Sequence, residues 1–148
     1  MIREENSMST DTNKALVRRW WEALNQGDAL AIVEEIYASD YVLHDPSQPA
    51  PVQGLEGVRG FVSVILTGFP DINCTIEELV AEGDKVVQRV TARGTHKGEF
   101  QGIPPTGKSV EVGLMVVSRI ANHKIAEEWQ LVDSLSMLQQ LGVMPSQG

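Results

Sequence analysis

The chain is poor in the residues that announce most chemistries. It has one cysteine, Cys74, in 148 residues. An internal disulfide is therefore excluded, and a reducing, cytoplasmic setting is the simpler reading. Basic residues are also scarce, with 12 Lys and Arg against 20 Asp and Glu and a formal net charge of −8. Nucleic acids and anionic membrane surfaces are bound by clustered cations, so neither is an expected partner. No apolar run reaches the ~20 residues that a membrane-spanning helix needs. Met1 to Thr12 is polar and charged where a signal peptide would carry a basic end and an apolar core. That stretch reads as a flexible arm, with Met8 as an alternative start, ahead of a single domain over residues 13–148. His44, His96 and His123 lie in separate elements without short paired spacing, so no metal site is expected. The glycines from Gly94 to Gly107 join two strands instead of opening a helix, which leaves no phosphate-cradling loop. No cofactor is expected.

What the chain does have is an ordered succession of patterns. Leu16, Val17, Trp20, Trp21 and Leu24 recur at helical spacing between Asn13 and Asn25, and Gly27 with Asp28 ends that helix and begins another. Leu30, Val33, Ile36 and Tyr37 continue the helical pattern. Tyr41 to Asp45 is a short β-like run stopped by Pro46. A third amphipathic helix follows Gly54, turns Val58, Phe61, Val62, Ile65 and Leu66 inward, and closes at Gly68 and Pro70. Beyond Asp71 the residues become β-branched, over Ile72 to Ala81, Val86 to Thr95, Val110 to Ile120 and Ile125 to Val132. Turn residues separate these runs, so they predict an antiparallel meander of four long strands. Helices first and strands later, without βαβ alternation, predict an α+β fold in which a cone-shaped curved sheet is packed by the N-terminal helices. The mouth of such a cone is a common ligand site.

The last stretch carries the strongest local signal. Lys124 to Val132 reads as a strand. Asp133 then sits at a helix N-cap, followed by Leu135, Leu138 and Leu141 at helical spacing and Gly142 at the end, a short C-terminal helix. Strand alternation puts Ala126, Glu128, Gln130 and Val132 on one face and Ile125, Glu127, Trp129 and Leu131 on the other. An acid and an amide thus look into one space.

The segments Gly94-Thr-His-Lys-Gly-Glu-Phe-Gln-Gly-Ile-Pro-Pro-Thr-Gly-Lys108, Arg119-Ile120, Glu128-Trp129 and Gln139-Gln-Leu-Gly142 belong to one pattern that runs from about Leu16 to Val143. Together they resemble the SnoaL-like polyketide cyclase (ester cyclase) family of the nuclear transport factor 2-like superfamily. The resemblance implies a cystatin-like α+β barrel and a homodimer formed through the sheet. It also implies cofactor-free intramolecular aldol condensation of a polyketide methyl ester. The aspartate that those cyclases use as acid/base on the last strand aligns with Gln130 here. An amide exchanges no proton near neutral pH, so that role does not carry over.

Other residues are then candidates for the chemistry. Glu128 shares the inward face with Gln130, and desolvation in an apolar cone would raise its pKa toward the range of a neutral-pH acid/base. The alternative is a solvated or ion-paired strand glutamate. His44 and Asp45 stand where similar ketosteroid isomerases place a catalytic aspartate before proline, which makes His44 a catalytic or pocket-lining candidate, with a satisfied structural histidine as the alternative. Arg89 and Thr91 have the spacing at which limonene epoxide hydrolases, another branch of the superfamily, place an Arg and an Asp. Arg89 is a ligand anchor or an ion-pair partner of Glu128. Trp20, like Trp21, packs the core or walls the pocket, and His96 lines the mouth or sits in a surface turn. Asp133 is a cap first and an alternative acid second. The leading expectation is an acid/base cyclase, isomerase or lyase for a small apolar carbonyl compound, with Gln130 donating to an oxyanion. A ligand-binding module with the same cone and an epoxide hydrolase are the alternatives.

Overall fold

The β-branched runs of the second half build one sheet, and the helices of the first half close it. The computed structural model describes the backbone of residues 2–144 and the side chains of residues 10–144. Its elements are α1 (Ile2–Gln26), α2 (Ala29–Ile36), β1 (Tyr37–His44), β2 (Val52–Gln53), α3 (Gly54–Gly68), β3 (Asn73–Glu82), β4 (Lys85–Thr95), β5 (Ser109–Ala121), β6 (Lys124–Val132) and α4 (Ser134–Gln140). The α+β architecture expected from the sequence is the one observed, with a curved open sheet in the order β2-β1-β6-β5-β4-β3. α1 begins inside the stretch read as an arm, while Met1 and residues 145–148 lie outside the described residues. Among the described residues no helix is long and apolar enough to cross a membrane.

The expected meander is present, antiparallel from β3 through β6, with Gln88 opposite Val116 and Ser118 opposite Glu128. Two features were not foreseen. Tyr37 does not extend α2. Its N–H closes that helix on Val33 O while its own backbone is already extended, so β1 starts four residues before Tyr41. β1 then lies parallel to β6, with Leu43 opposite Glu128 and His44 opposite Trp129. A parallel partner more than eighty residues away in the chain is joined by no turn that a sequence could reveal.

Packing follows the helical stripes. Val17, Trp20, Trp21 and Leu24 of α1, Val33 and Ile36 of α2, and Val58 and Val62 of α3 bury against Val86, Val90, Val116 and Ile120 of the sheet. Each such side chain contributes roughly 1.5–3 kcal/mol when fully withdrawn from water. Asn25 ties the end of α1 to the edge strand β3, donating to Cys74 O at 2.8 Å and accepting from Cys74 N at 2.6 Å. A smaller cluster of Phe69, Phe100, Val110, Val112, Met137 and Leu141 closes the far end of the sheet. The long loop after β4 is bound to α3, with Lys97 N and Gly98 N both donating to Gly68 O. A side chain at Gly98 would overlap the Thr67 carbonyl, so this docking requires glycine.

Strict alternation fails at one point of β6. The β5–β6 register slips between Arg119 and Ile120, and Ile125 and Ala126 are both buried. Ile125, placed by the sequence on the outer face with Trp129, therefore points into the core. A bulge of this kind inserts one residue and resets the faces on either side of it.

Candidate active site

Between the inner face of the sheet and helices α1 and α3 lies a cavity of about 710 Å³, within the size range of small-molecule sites. Its wall is mostly apolar and aromatic, including Trp20, Trp21, Tyr37, Phe61, Phe69 and Leu114. Polar side chains of the adjacent strands β1 and β6 line it, among them Asp45, just past β1's end, and Glu128 and Gln130 from β6.

Glu128 faces inward because the bulge leaves it, Gln130 and Val132 on the cavity side. Ser118, directly across on β5, donates to its Oε2, and Tyr41 of β1 donates to its Oε1 at 2.7 Å. Only 7% of the residue is exposed. Burial pushes the Glu128 carboxyl above its ordinary value of 4.5, and the two donated hydrogen bonds oppose that shift without cancelling it. Burial, followed by the nearby charge of Glu128, also raises the Tyr41 and Tyr37 phenols, so both remain protonated donors. Cys74, on the same wall, is pushed up to about 12 by burial, which suppresses the thiolate a nucleophile would need.

Gln130 is held by its neighbour on β1, donating through Nε2 to Asp45 Oδ2 at 2.9 Å. Asp45 is fixed in turn by Ser47, whose N–H and hydroxyl both donate to Oδ1, at 2.8 and 2.7 Å. Gln130 keeps one amide hydrogen and its carbonyl oxygen for a ligand. Behind Glu128 the polar line continues into the core: Ser118 Oγ accepts from Gln88 Nε2 at 2.8 Å, and Gln88 Oε1 accepts from Trp21 Nε1 at 3.0 Å.

Of the residues the sequence singled out, Glu128, Gln130 and Trp20 meet in the cavity, as does Trp21. The others do not. His44 is on the outer face, hydrogen-bonded to Glu127 Oε2 at 2.8 Å and stacked on Trp129 with ring centroids 5.5 Å apart. Alternation from Tyr41 and Leu43, which face inward, sends His44 out and returns Asp45 to the cavity. Arg89 is likewise outside, and its ion-pair partner is Glu78 at 2.7 Å, not Glu128. Thr91 shares that outer face of β4 and does not line the cavity. His96 is no surface residue: it is fully buried, stacked on Phe69, with Nδ1 accepting from Thr106 N at 3.2 Å. It stands behind the wall without lining it. Asp133 caps α4, accepting from Ser136 N at 3.2 Å. Among the described residues no group of three His, Cys, Asp or Glu side chains could hold a metal ion.

The sequence reading leaves out Tyr41, Ser118 and Gln88 as site residues, although it carries a signal for the last two. Gln88 interrupts the inward series Val86 and Val90, and Ser118 interrupts Val116 and Ile120. A polar residue at an inward strand position needs a buried partner. Tyr41 could be placed only once the parallel pairing of β1 with β6 was known.

The family described as SnoaL-like polyketide cyclase matches residues 14–141. Among solved structures, IdmH of Streptomyces antibioticus, which carries a provisional polyketide cyclase assignment, is 37% identical. The match covers 88% of this chain and 99% of that one at a TM-score of 0.77. TsrD of Streptomyces laurentii is 30% identical, with 90% and 97% coverage and a TM-score of 0.80. AclR of Streptomyces galilaeus, provisionally assigned as a hydroxylase, is 29% identical, with 92% and 99% coverage and a TM-score of 0.82. No curated protein matches the chain. Sequence and fold agree that the chain belongs to the SnoaL-like polyketide cyclase family, with its nuclear transport factor 2-like α+β fold.

Proposed function

We propose that the protein is a cofactor-free acid/base enzyme that cyclises or isomerises a small, largely apolar carbonyl compound of the polyketide-ester type through an enolate. The observation that carries this reading is Glu128: a buried carboxyl of raised pKa, the proton acceptor such a reaction needs, at the wall of an apolar cavity. The ligand's acidic C–H would face Glu128, which takes the proton. Charge then moves to the carbonyl oxygen, where the spare amide hydrogen of Gln130 donates to it. Asp45 holds that amide in place through Nε2. The aromatic walls supply the apolar contact that orients a flat substrate. His44 and Arg89 have no part in this scheme, since both face away from the cavity.

The test is Glu128→Gln assayed with polyketide-type methyl esters. Loss of about 10²–10⁴-fold in turnover is expected for removal of a general base, together with loss of the pH dependence that Glu128 imposes. Unchanged turnover and pH dependence would mean that Glu128 is not the base, whereas binding of these esters without turnover in the unmodified protein would mean that the cavity binds without catalysing.

A second feature supports a homodimer through the outer face of the sheet. Met115, Trp129 and Leu131 stand 46%, 38% and 63% exposed there, on adjacent strands. Sedimentation at micromolar concentration should give twice the chain mass, and a monomer would overturn the assignment.

A further inference from the structure

The hydrogen-bond line behind Glu128 has a fixed direction. The indole of Trp21 can only donate, so the oxygen of Gln88 must face it. Both hydrogens of the Gln88 amide are then committed, one to Val86 O at 3.1 Å and one to Ser118 Oγ at 2.8 Å. Because Ser118 Oγ accepts from Gln88, its single hydroxyl hydrogen goes to Glu128 Oε2. Gln88 and Ser118 are 1% and 0% exposed, which leaves solvent no room to supply other partners.

We infer that Gln88 and Ser118 are positioning residues that decide which oxygen of Glu128 carries the proton. A proton on Oε2 would meet the Ser118 hydroxyl hydrogen head on, and that hydroxyl cannot turn, because the Gln88 amide occupies its other side. Oε1 faces Tyr41, whose hydroxyl has no second partner fixing it, can turn about its C–O bond, and accepts as well as donates. Protonation of Glu128 therefore takes place at Oε1. In the same event the Tyr41 O–H is released from the carboxylate and becomes free to point into the cavity that both residues line.

This deepens the reading of Glu128 as the group that moves a proton, and rests on it. The ligand's C–H bond breaks toward Oε1, and its electron pair becomes the C=C bond of an enolate. The carbonyl oxygen that gains the charge receives the hydroxyl hydrogen bond that Tyr41 has just withdrawn from Glu128. Taking the proton and stabilising the resulting charge are thereby one rearrangement, and its sense is set by Trp21 and Gln88 from behind the cavity wall.

The experiment needs no ligand. The carboxyl C=O stretch of Glu128, identified by its disappearance in Glu128→Gln, is followed against pH by infrared spectroscopy of the full chain. The unmodified protein should give one protonated-carboxyl band. Gln88→Met removes the donor to Ser118 at nearly constant volume and frees that hydroxyl to turn. The proton affinity of Glu128 should then rise about tenfold, one unit of pKa, and the protonated band should split in two. Trp21→Phe, which keeps a ring and deletes the terminal donor, should shift the titration in the same sense by less, and it decides the matter alone should Gln88→Met not fold. An unmoved midpoint and a single band in the folded variants would overturn the inference. Unchanged turnover in Glu128→Gln would remove the proposed function and leave this titration standing, so the two failures are distinguishable.

Discussion

Glu127 and Glu128 are consecutive residues of one strand with opposite acid strengths. Glu127 faces outward, where the hydrogen bond from His44, followed by that from Arg119, holds its carboxyl below the ordinary value of 4.5. Glu128 faces inward, where burial outweighs the donors Ser118 and Tyr41 and raises it. Residue type is the same and the separation is one pleat, so the sheet's face is what makes one of them a surface ion and the other a candidate proton carrier. The two faces of the sheet differ in the same way throughout. Outside, Arg89 pairs with Glu78 and Arg93 with Glu111, all well exposed. Inside, the polar groups form a closed line of hydrogen bonds from Trp21 to Tyr41.

The strongest way to break that contrast is to follow stability against pH. Glu128 has its folded pKa raised, so the folded state binds its proton more tightly than the unfolded chain does. Its contribution is present in full below about 4.5 and is lost as pH rises through the folded value. Chemical denaturation should therefore show stability declining over that window, and Glu128→Gln should flatten the decline. A slope unaltered by the substitution would mean that Glu128 is not the buried, proton-holding group described.

A smaller effect is expected from Tyr41→Phe, which leaves one oxygen of Glu128 without its donor. Loss of a buried hydrogen-bond partner costs about 1–3 kcal/mol, and the variant should unfold at correspondingly lower denaturant at neutral pH, where the carboxylate is most in need of that bond. Thr91→Val, on the outer face, is the control and should change little. Equal losses in the two variants would erase the distinction between the faces.

The legibility of the sequence divides along the same line. The meander, the helices and the Asp133 cap were all readable, because each rests on contacts between near neighbours in the chain. Glu128 and Gln130 were readable too, since alternation over three residues of β6 survives downstream of the bulge. The first failure depended on β1, and two others on placements elsewhere. His44 was chosen over Asp45 as a catalytic candidate, and only the inward placement of Tyr41 and Leu43, visible once β1 is seated on β6, reverses that choice. Arg89 was weighed as a partner for Glu128, but strand parity forbids it: Gln88 and Val90 face inward, so Arg89 faces out. His96 was read as a surface turn because loops usually run over the surface. Here the turn is folded back onto α3 through Gly98, and His96 is trapped beneath it.

The smallest effect belongs to Glu127, and its sign is the sharpest part of the comparison. With its folded pKa lowered, Glu127 contributes stability that is present above about 4.5 and is lost as pH falls through the folded value, opposite in slope to its neighbour. His44→Ala removes the largest cause of that shift, so the Glu127 carboxyl should titrate closer to its ordinary value by carboxyl-detected NMR. Stability at neutral pH should hardly move, because a pair that is only partly buried is screened by water and costs side-chain entropy to hold. Turnover should also be unaffected, since neither side chain lines the cavity. A large loss of activity in His44→Ala, with Glu128 still titrating as in the unmodified protein, would mean that the outer face takes part in the chemistry, and the division of labour between the two glutamates would have to be redrawn.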